Sequence, residues 1–103
     1  MEFLTLDEIK QQCRVDFDYD DALLTSYGET AEQVIVQYLG RGKTVEDMME
    51  SLTDEYGGMP APVRQAALML TAMWYQNQVP AKQGNMSIVP YTFDIMIKPY
   101  VIL

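Results

Sequence analysis

The sequence predicts an all-α fold, a small bundle of four to five helices with a long loop or hairpin arm before the last short helix. Three observations predict it. Apolar residues recur at helical spacing in successive stretches of the chain. Residues that cap helix starts, and glycines or prolines that end helices, stand between those stretches. The length of 103 residues, 49% hydrophobic, suits one core and is too short for two, so a single domain over residues 1–103 is expected.

The first element is short. Thr5 and Glu8 have the spacing of a capping box, in which each side chain bonds the other residue's amide. Asp7 and Glu8 suit the positive start of a helix, and Lys10 and Arg14 suit its end. A helix is predicted from about Leu6 to Cys13.

Asp16-Phe17-Asp18-Tyr19-Asp20-Asp21 follows, rich in short carboxylates that can cap the next helix. In that helix Leu23, Leu24, Tyr27, Ala31, Val34, Ile35 and Tyr38 lie on one stripe. Gly28 costs about 1 kcal/mol relative to alanine there and is read as a place of close helix–helix approach. Gly40 and Gly42 end the element, since glycine adopts left-handed backbone most easily.

Residues 44–56 read as a further helix. Thr44 can cap it, and Val45, Met48, Met49, Leu52 and Tyr56 form its apolar stripe. Gly57-Gly58 stop it. Pro60 and Pro62 stand where a helix start tolerates proline. Beyond them Val63, Ala66, Ala67, Leu70 and Trp74 line one face, while Leu68, Met69, Ala72 and Met73 cover much of the rest. A helix apolar nearly all round is buried on several sides, and neighbouring subunits are expected to supply part of that burial.

Residues 78–90, with Pro80, Gly84, Asn85 and Pro90, read as the loop or arm, carrying apolar Met86, Ile88 and Val89. Pro90 to Lys98 reads as a last short helix with Phe93, Met96 and Ile97 facing inward. Pro99 stops it, and the apolar end Tyr100-Val101-Ile102-Leu103 is expected to dock against something. No internal repeat or low-complexity tract is present.

Charge is unevenly spread. Residues 1–55 hold fourteen Asp/Glu against four Lys/Arg, a net of −10, whereas residues 56–103 carry a net of +2. Nucleic-acid binders neutralise phosphates with Lys and Arg, and this chain lacks the cations for that. Any relation to DNA is therefore repulsive: passage, exclusion or mimicry. The plain reading of the acids is solubility. The longest nearly apolar run, Ala66 to Tyr75, is about half of the roughly 20 residues a membrane crossing needs. No signal-peptide pattern stands at the start, and one cysteine, Cys13, suits a reducing compartment. A soluble protein made in the cytoplasm, without a membrane partner, is expected.

The apparent chemical motifs fail on inspection. Asp16, Asp18 and Asp20 alternate as in a calcium loop, but the required glycine and bidentate glutamate are replaced by Asp21 and Tyr27. Capping is the better reading. Gly42-Lys43-Thr44 resembles the end of a phosphate-binding loop, yet the first glycine of that pattern is replaced by Gln37 within a predicted helix. There is no histidine, the commonest general base and metal ligand. Cys13 lacks such a partner and reads as a partly buried structural thiol, and the paired carboxylates read as solvated charge. No catalytic residue, metal ligand or cofactor is expected.

Trp74 and Tyr75 are adjacent, so they point in different directions around a helix and cannot both face the same core surface. One of them is expected to face a partner, because tryptophan and tyrosine are enriched at interface centres.

The order of these features resembles a known family. Leu4-Thr5-Leu6-Asp7-Glu8-Ile9-Lys10, Arg14-Val15-Asp16 and Asp20-Asp21-Ala22-Leu23-Leu24 resemble the start of phage head–tail connector proteins. Pro60-Ala61-Pro62-Val63-Arg64-Gln65-Ala66-Ala67-Leu68, running on to Trp74-Tyr75-Gln76-Asn77, resembles their centre. The ending Pro90-Tyr91, a short apolar helix and Pro99-Tyr100 complete the pattern over nearly the whole chain. The resemblance implies a non-enzymatic virion subunit that forms a ring of about a dozen copies below the portal. It implies contact with the portal protein and a tail-completion protein, with DNA passing through unbound. In that family the segment 44–56 is a more variable connection, so a well-formed helix there is a departure. Trp74, Tyr75, Met86, Ile88, Tyr91 and Tyr100 are the candidate interface residues, with Met86, Ile88 and Tyr91 docking on the next subunit. The competing reading is a small acidic interaction module of DNA-mimic type, acting as a monomer or dimer.

Overall fold

Thr5 opens the first helix, α1 (Leu6–Cys13), by the reciprocal arrangement its spacing predicts. In this computed structural model, which describes residues 1–76 and 91–101, the Glu8 amide donates to the Thr5 hydroxyl at 3.2 Å. The Thr5 amide donates in return to Glu8 Oε1 at 3.0 Å. Arg14 then closes the helix in left-handed backbone, φ 59°.

The next two helices end on glycine. Helix α2 (Asp21–Leu39) stops at Gly40, φ 67°, whose amide donates to the Val36 carbonyl at 3.2 Å. Helix α3 (Val45–Tyr56) starts at Thr44, whose hydroxyl accepts from the Asp47 amide at 3.1 Å. Gly57, φ 81°, ends it with a 2.8 Å bond to the Thr53 carbonyl. Left-handed backbone costs a side-chain-bearing residue about 1 kcal/mol or more, which is why glycine serves here.

Helix α4 (Ala61–Gln76) follows Pro60, whose carbonyl accepts the amides of Val63 and Arg64. Helix α5 (Tyr91–Ile97) runs into a single 3-10 turn, Lys98–Tyr100. Among the described residues there is no strand, and the all-α fold class holds. The segment read as an arm, residues 78–90, lies outside the described residues, as do Ile102 and Leu103.

Helix α4 is the centre of the bundle and packs against α1, α2 and α5; α2 in turn carries α1 and α3. Val63, Ala66, Ala67 and Leu70 on α4 are buried, together with Ile9 of α1, Leu24, Ile35 and Leu39 of α2, and Met48 and Leu52 of α3. Phe93 and Ile97 of α5 are fully buried, each stabilising by about 1.5–3 kcal/mol relative to exposure. The chain's own helices thus bury the α4 stripe on three sides.

Two sequence expectations need correction. The buried face of α2 is Leu24, Gly28, Ala31, Glu32, Ile35, Val36 and Leu39; Leu23, Tyr27 and Val34 are half-buried and Tyr38 is exposed. An apolar count rotates the stripe the wrong way, because it gives no weight to Gly28 and counts Glu32 against the core. The second correction concerns the aspartates. Asp20 stands at the N-cap position, but its side chain makes no capping bond. Its backbone (φ −98°, ψ 8°) lacks the extended geometry seen at Thr5 and Thr44, and its carboxylate is turned to Tyr75 instead.

The close approach expected at Gly28 is found, though the N-terminal segment takes part in it. A β-carbon there would collide with Met1 Sδ and lie 2.6 Å from Ile9 Cδ1. At the C-terminal end, Met96 is half-buried beside Phe93 and Ile97, as its helical spacing predicts.

Candidate functional site

Among the described residues, the interface candidates Trp74, Tyr75 and Tyr100 fall at the two ends of α2, which at 19 residues is about 28 Å long. At its start, Trp74 and Tyr75 from the last turn of α4 lie half-buried. Trp74 is tilted against the Tyr27 ring, centroids 6.1 Å apart. The Tyr75 hydroxyl donates to Asp20 Oδ2 at 2.6 Å. That bond, with some burial, raises the phenol to about 12, because losing the proton would set two anions together.

The loop leading into α2 is fixed by the same groups. Lys10 Nζ lies 2.9 Å from Asp18 Oδ1 and 2.9 Å from Asp21 Oδ1. These bonds raise the ammonium's pKa, with Asp18 the largest cause. The aspartates thus serve mainly as ties to α1 and α4. Composition could suggest that they pair, but it does not name their partners.

Tyr100 sits beyond the other end of α2. Its ring meets Tyr56 edge-on at 5.1 Å, and its carbonyl accepts from Arg41 Nε at 2.6 Å. Arg41 is a buried cation. It donates to Ser51 Oγ at 3.1 Å, lies 2.8 Å from Glu55 Oε1, and stands 5.7 Å from the Tyr56 ring centroid. Its hydrogen bond holds the Glu55 carboxyl below the usual range, whereas desolvation chiefly raises the Tyr56 phenol. One arginine therefore ties the C-terminal turn to α3. The structure does not bring Tyr100 together with Trp74 and Tyr75; Met86, Ile88 and the side chain of Tyr91 lie outside the described residues.

A second buried charge ties down the N-terminal segment. Glu32 accepts the amides of Glu2, Phe3 and Leu4 at 2.8–3.0 Å. Arg64 adds a bond to the Phe3 carbonyl at 2.6 Å and an ion pair to Glu8 at 3.1 Å. Sequence reasoning missed both Glu32 and Arg41. For Glu32, a lone charge within the α2 helix was the available signal, but nothing local names the distant backbone groups that satisfy it; Arg41, between two glycines, gave no such signal.

Cys13 is half-buried and its thiol is pushed up by burial, away from the reactive thiolate. No group of three or more His, Cys, Asp or Glu among the described residues could hold a metal ion. No helix of the described residues is long and apolar enough to cross a membrane. The exposed side of α3 instead presents Glu46, Asp47, Glu50 and Asp54 to solvent, a surface suited to repelling polyanions.

The family model of the phage gp6-like head-tail connector protein matches residues 3–100. No curated protein and no solved structure matches the chain.

Proposed function

The chain belongs to the phage gp6-like head–tail connector family, and from that premise we propose that it is a ring-forming subunit extending the portal channel and joining capsid to tail. The family is one of structural virion proteins that meet portal or capsid and tail components. The observation that carries the reading is the match over residues 3–100, nearly the whole chain. Residues 1–103 then act as one connector domain without catalysis, made in the bacterial host's cytoplasm and placed at the head–tail junction.

In this reading about a dozen copies close a ring, each using one patch against a different patch of its neighbour. Trp74, Tyr75 and Tyr100, together with Met86, Ile88 and Tyr91, are proposed to form those contacts. The placement of Trp74 and Tyr75 at one end of α2 and Tyr100 beyond the other supports a head-to-tail arrangement. The acids on α3 support a channel wall past which DNA slides without specific binding.

The acidic-mimic alternative fits less well. Glu8, Asp18, Asp20, Asp21, Glu32 and Glu55 are paired with groups elsewhere in the fold and are not spaced along one open face. The test is genetic. Disruption of the gene in the phage that encodes the chain should yield DNA-filled heads and free, unattached tails. Intact virions lacking the chain would contradict the proposal.

A further inference from the structure

Helix α3 is held to the rest of the bundle by a narrow stripe. Val45, Met48 and Leu52 are its buried residues, and α2 is the helix it mainly packs against. Glycine stands at both of its ends, Gly40 and Gly42 before it and Gly57 and Gly58 after it. A side chain at Gly57 or Gly58 would meet nothing within 4 Å, so packing does not block backbone rotation there.

The polar tie from α3 to the C-terminal turn runs through a single guanidinium. Arg41 Nε donates to the Tyr100 carbonyl at 2.6 Å, while Nη1 donates to Ser51 Oγ at 3.1 Å and lies 2.8 Å from Glu55 Oε1. The Arg41 side chain is 3% exposed, so water is poorly placed to replace an acceptor that moves away. A guanidinium is planar, and its donors keep fixed angles to one another. A shift of α3 that carries Ser51 and Glu55 away therefore tilts the plane and misaligns Nε with the Tyr100 carbonyl. A shift of the turn acts on Ser51 and Glu55 in the same way. The Tyr56 and Tyr100 rings, edge-on at 5.1 Å, lie across the same joint.

We propose that Arg41 is a latch coupling the turn Lys98–Tyr100 to α3, so that holding the turn also fixes the acidic face of α3. The latch joins two surfaces of different use. Tyr100 is a candidate interface residue, and Glu46, Asp47, Glu50 and Asp54 stand in solvent on α3. A neighbour that covers the turn lowers the freedom of α3, and by reciprocity a fixed α3 favours the docked turn. That use rests on the connector reading; the latch itself rests on geometry within one chain.

Amide hydrogen exchange on the full chain is the test. Ser51→Ala with Glu55→Gln loosens the α3 side of the latch alone. It should speed exchange by about threefold or more in the last turn of α3 and also at the Val101 amide. That amide bonds the Lys98 carbonyl at 3.2 Å and so reports the turn. Helix α4 should exchange as in wild type. Arg41→Lys keeps the charge but loses the fork, and in that background the same two substitutions should leave Val101 unchanged. Pro99→Gly, which loosens the turn and leaves Arg41 in place, should speed exchange in the last turn of α3. A response confined to the altered side, or an equal response in α4, would overturn the proposal. So would a Val101 response that persists with Arg41→Lys, since the tyrosine rings would then carry the coupling. The use in assembly is read separately, on the chain bound to portal rings: α3 exchange should slow in wild type and not in Arg41→Lys. Equal slowing in both would remove the latch from assembly, whereas a chain that does not bind the portal contradicts the connector reading alone.

Discussion

Glu32 ties the N-terminal segment to α2, because one carboxylate satisfies three successive amides. Removing it strands those donors in or near the core, and each buried unsatisfied group costs about 1–3 kcal/mol. Glu32→Ala should therefore lose about 3 kcal/mol or more in urea unfolding. Glu32→Gln keeps one acceptor oxygen and should lose less. Tyr75 makes a pH-dependent contribution. Its hydroxyl is held at about 12 in the fold by Asp20, against about 10 in an unfolded chain. The folded state binds that proton more tightly, so the contact's stabilisation is complete below pH 10 and fades as pH rises from 10 toward 12. The stability difference between wild type and Tyr75→Phe should shrink across that interval. A tyrosinate absorbance titration should lose its latest step in the variant; an unchanged titration would show that the bond is not made in solution.

The elements were legible wherever their determinants are local. Thr5 with Glu8, Thr44, Gly40, Gly57 and Pro60 mark helix ends through contacts within a few residues, and those boundaries agree with the structure. What depends on distant partners was not legible. The aspartate run looked like a set of caps because Lys10 lies on α1 and Tyr75 on α4, fifty-five residues beyond Asp20. The buried face of α2 was misplaced because Glu32 and Gly28 meet the first nine residues of the chain, not a neighbouring turn. At this scale Gly57→Ala should cost about 1 kcal/mol through its left-handed backbone alone, with no atom close enough to clash. Gly28→Val should cost about 1–3 kcal/mol, because Ile9 is fully buried and cannot easily give way. Equal stability of either variant and wild type in urea would contradict the packing described.

At the scale of the molecule, the chain is a helix bundle threaded on α4, with its N-terminal segment tied by Glu32 and its C-terminal turn tied by Arg41. Aromatic groups gather beyond both ends of α2, and acids cover the outer side of α3. Such a subunit offers different surfaces at its two ends, the condition for a heterologous ring. Family membership places it among phage head–tail connectors, and the closed ring is the central claim made for it. The direct measurement is the mass, by light scattering on a sizing column, of the species formed when the chain is mixed with purified portal rings from the same phage. The account predicts a complex carrying about a dozen copies of the chain per portal ring. If the portal mass stays unchanged while the chain elutes as a monomer or dimer at every concentration, the claim is contradicted.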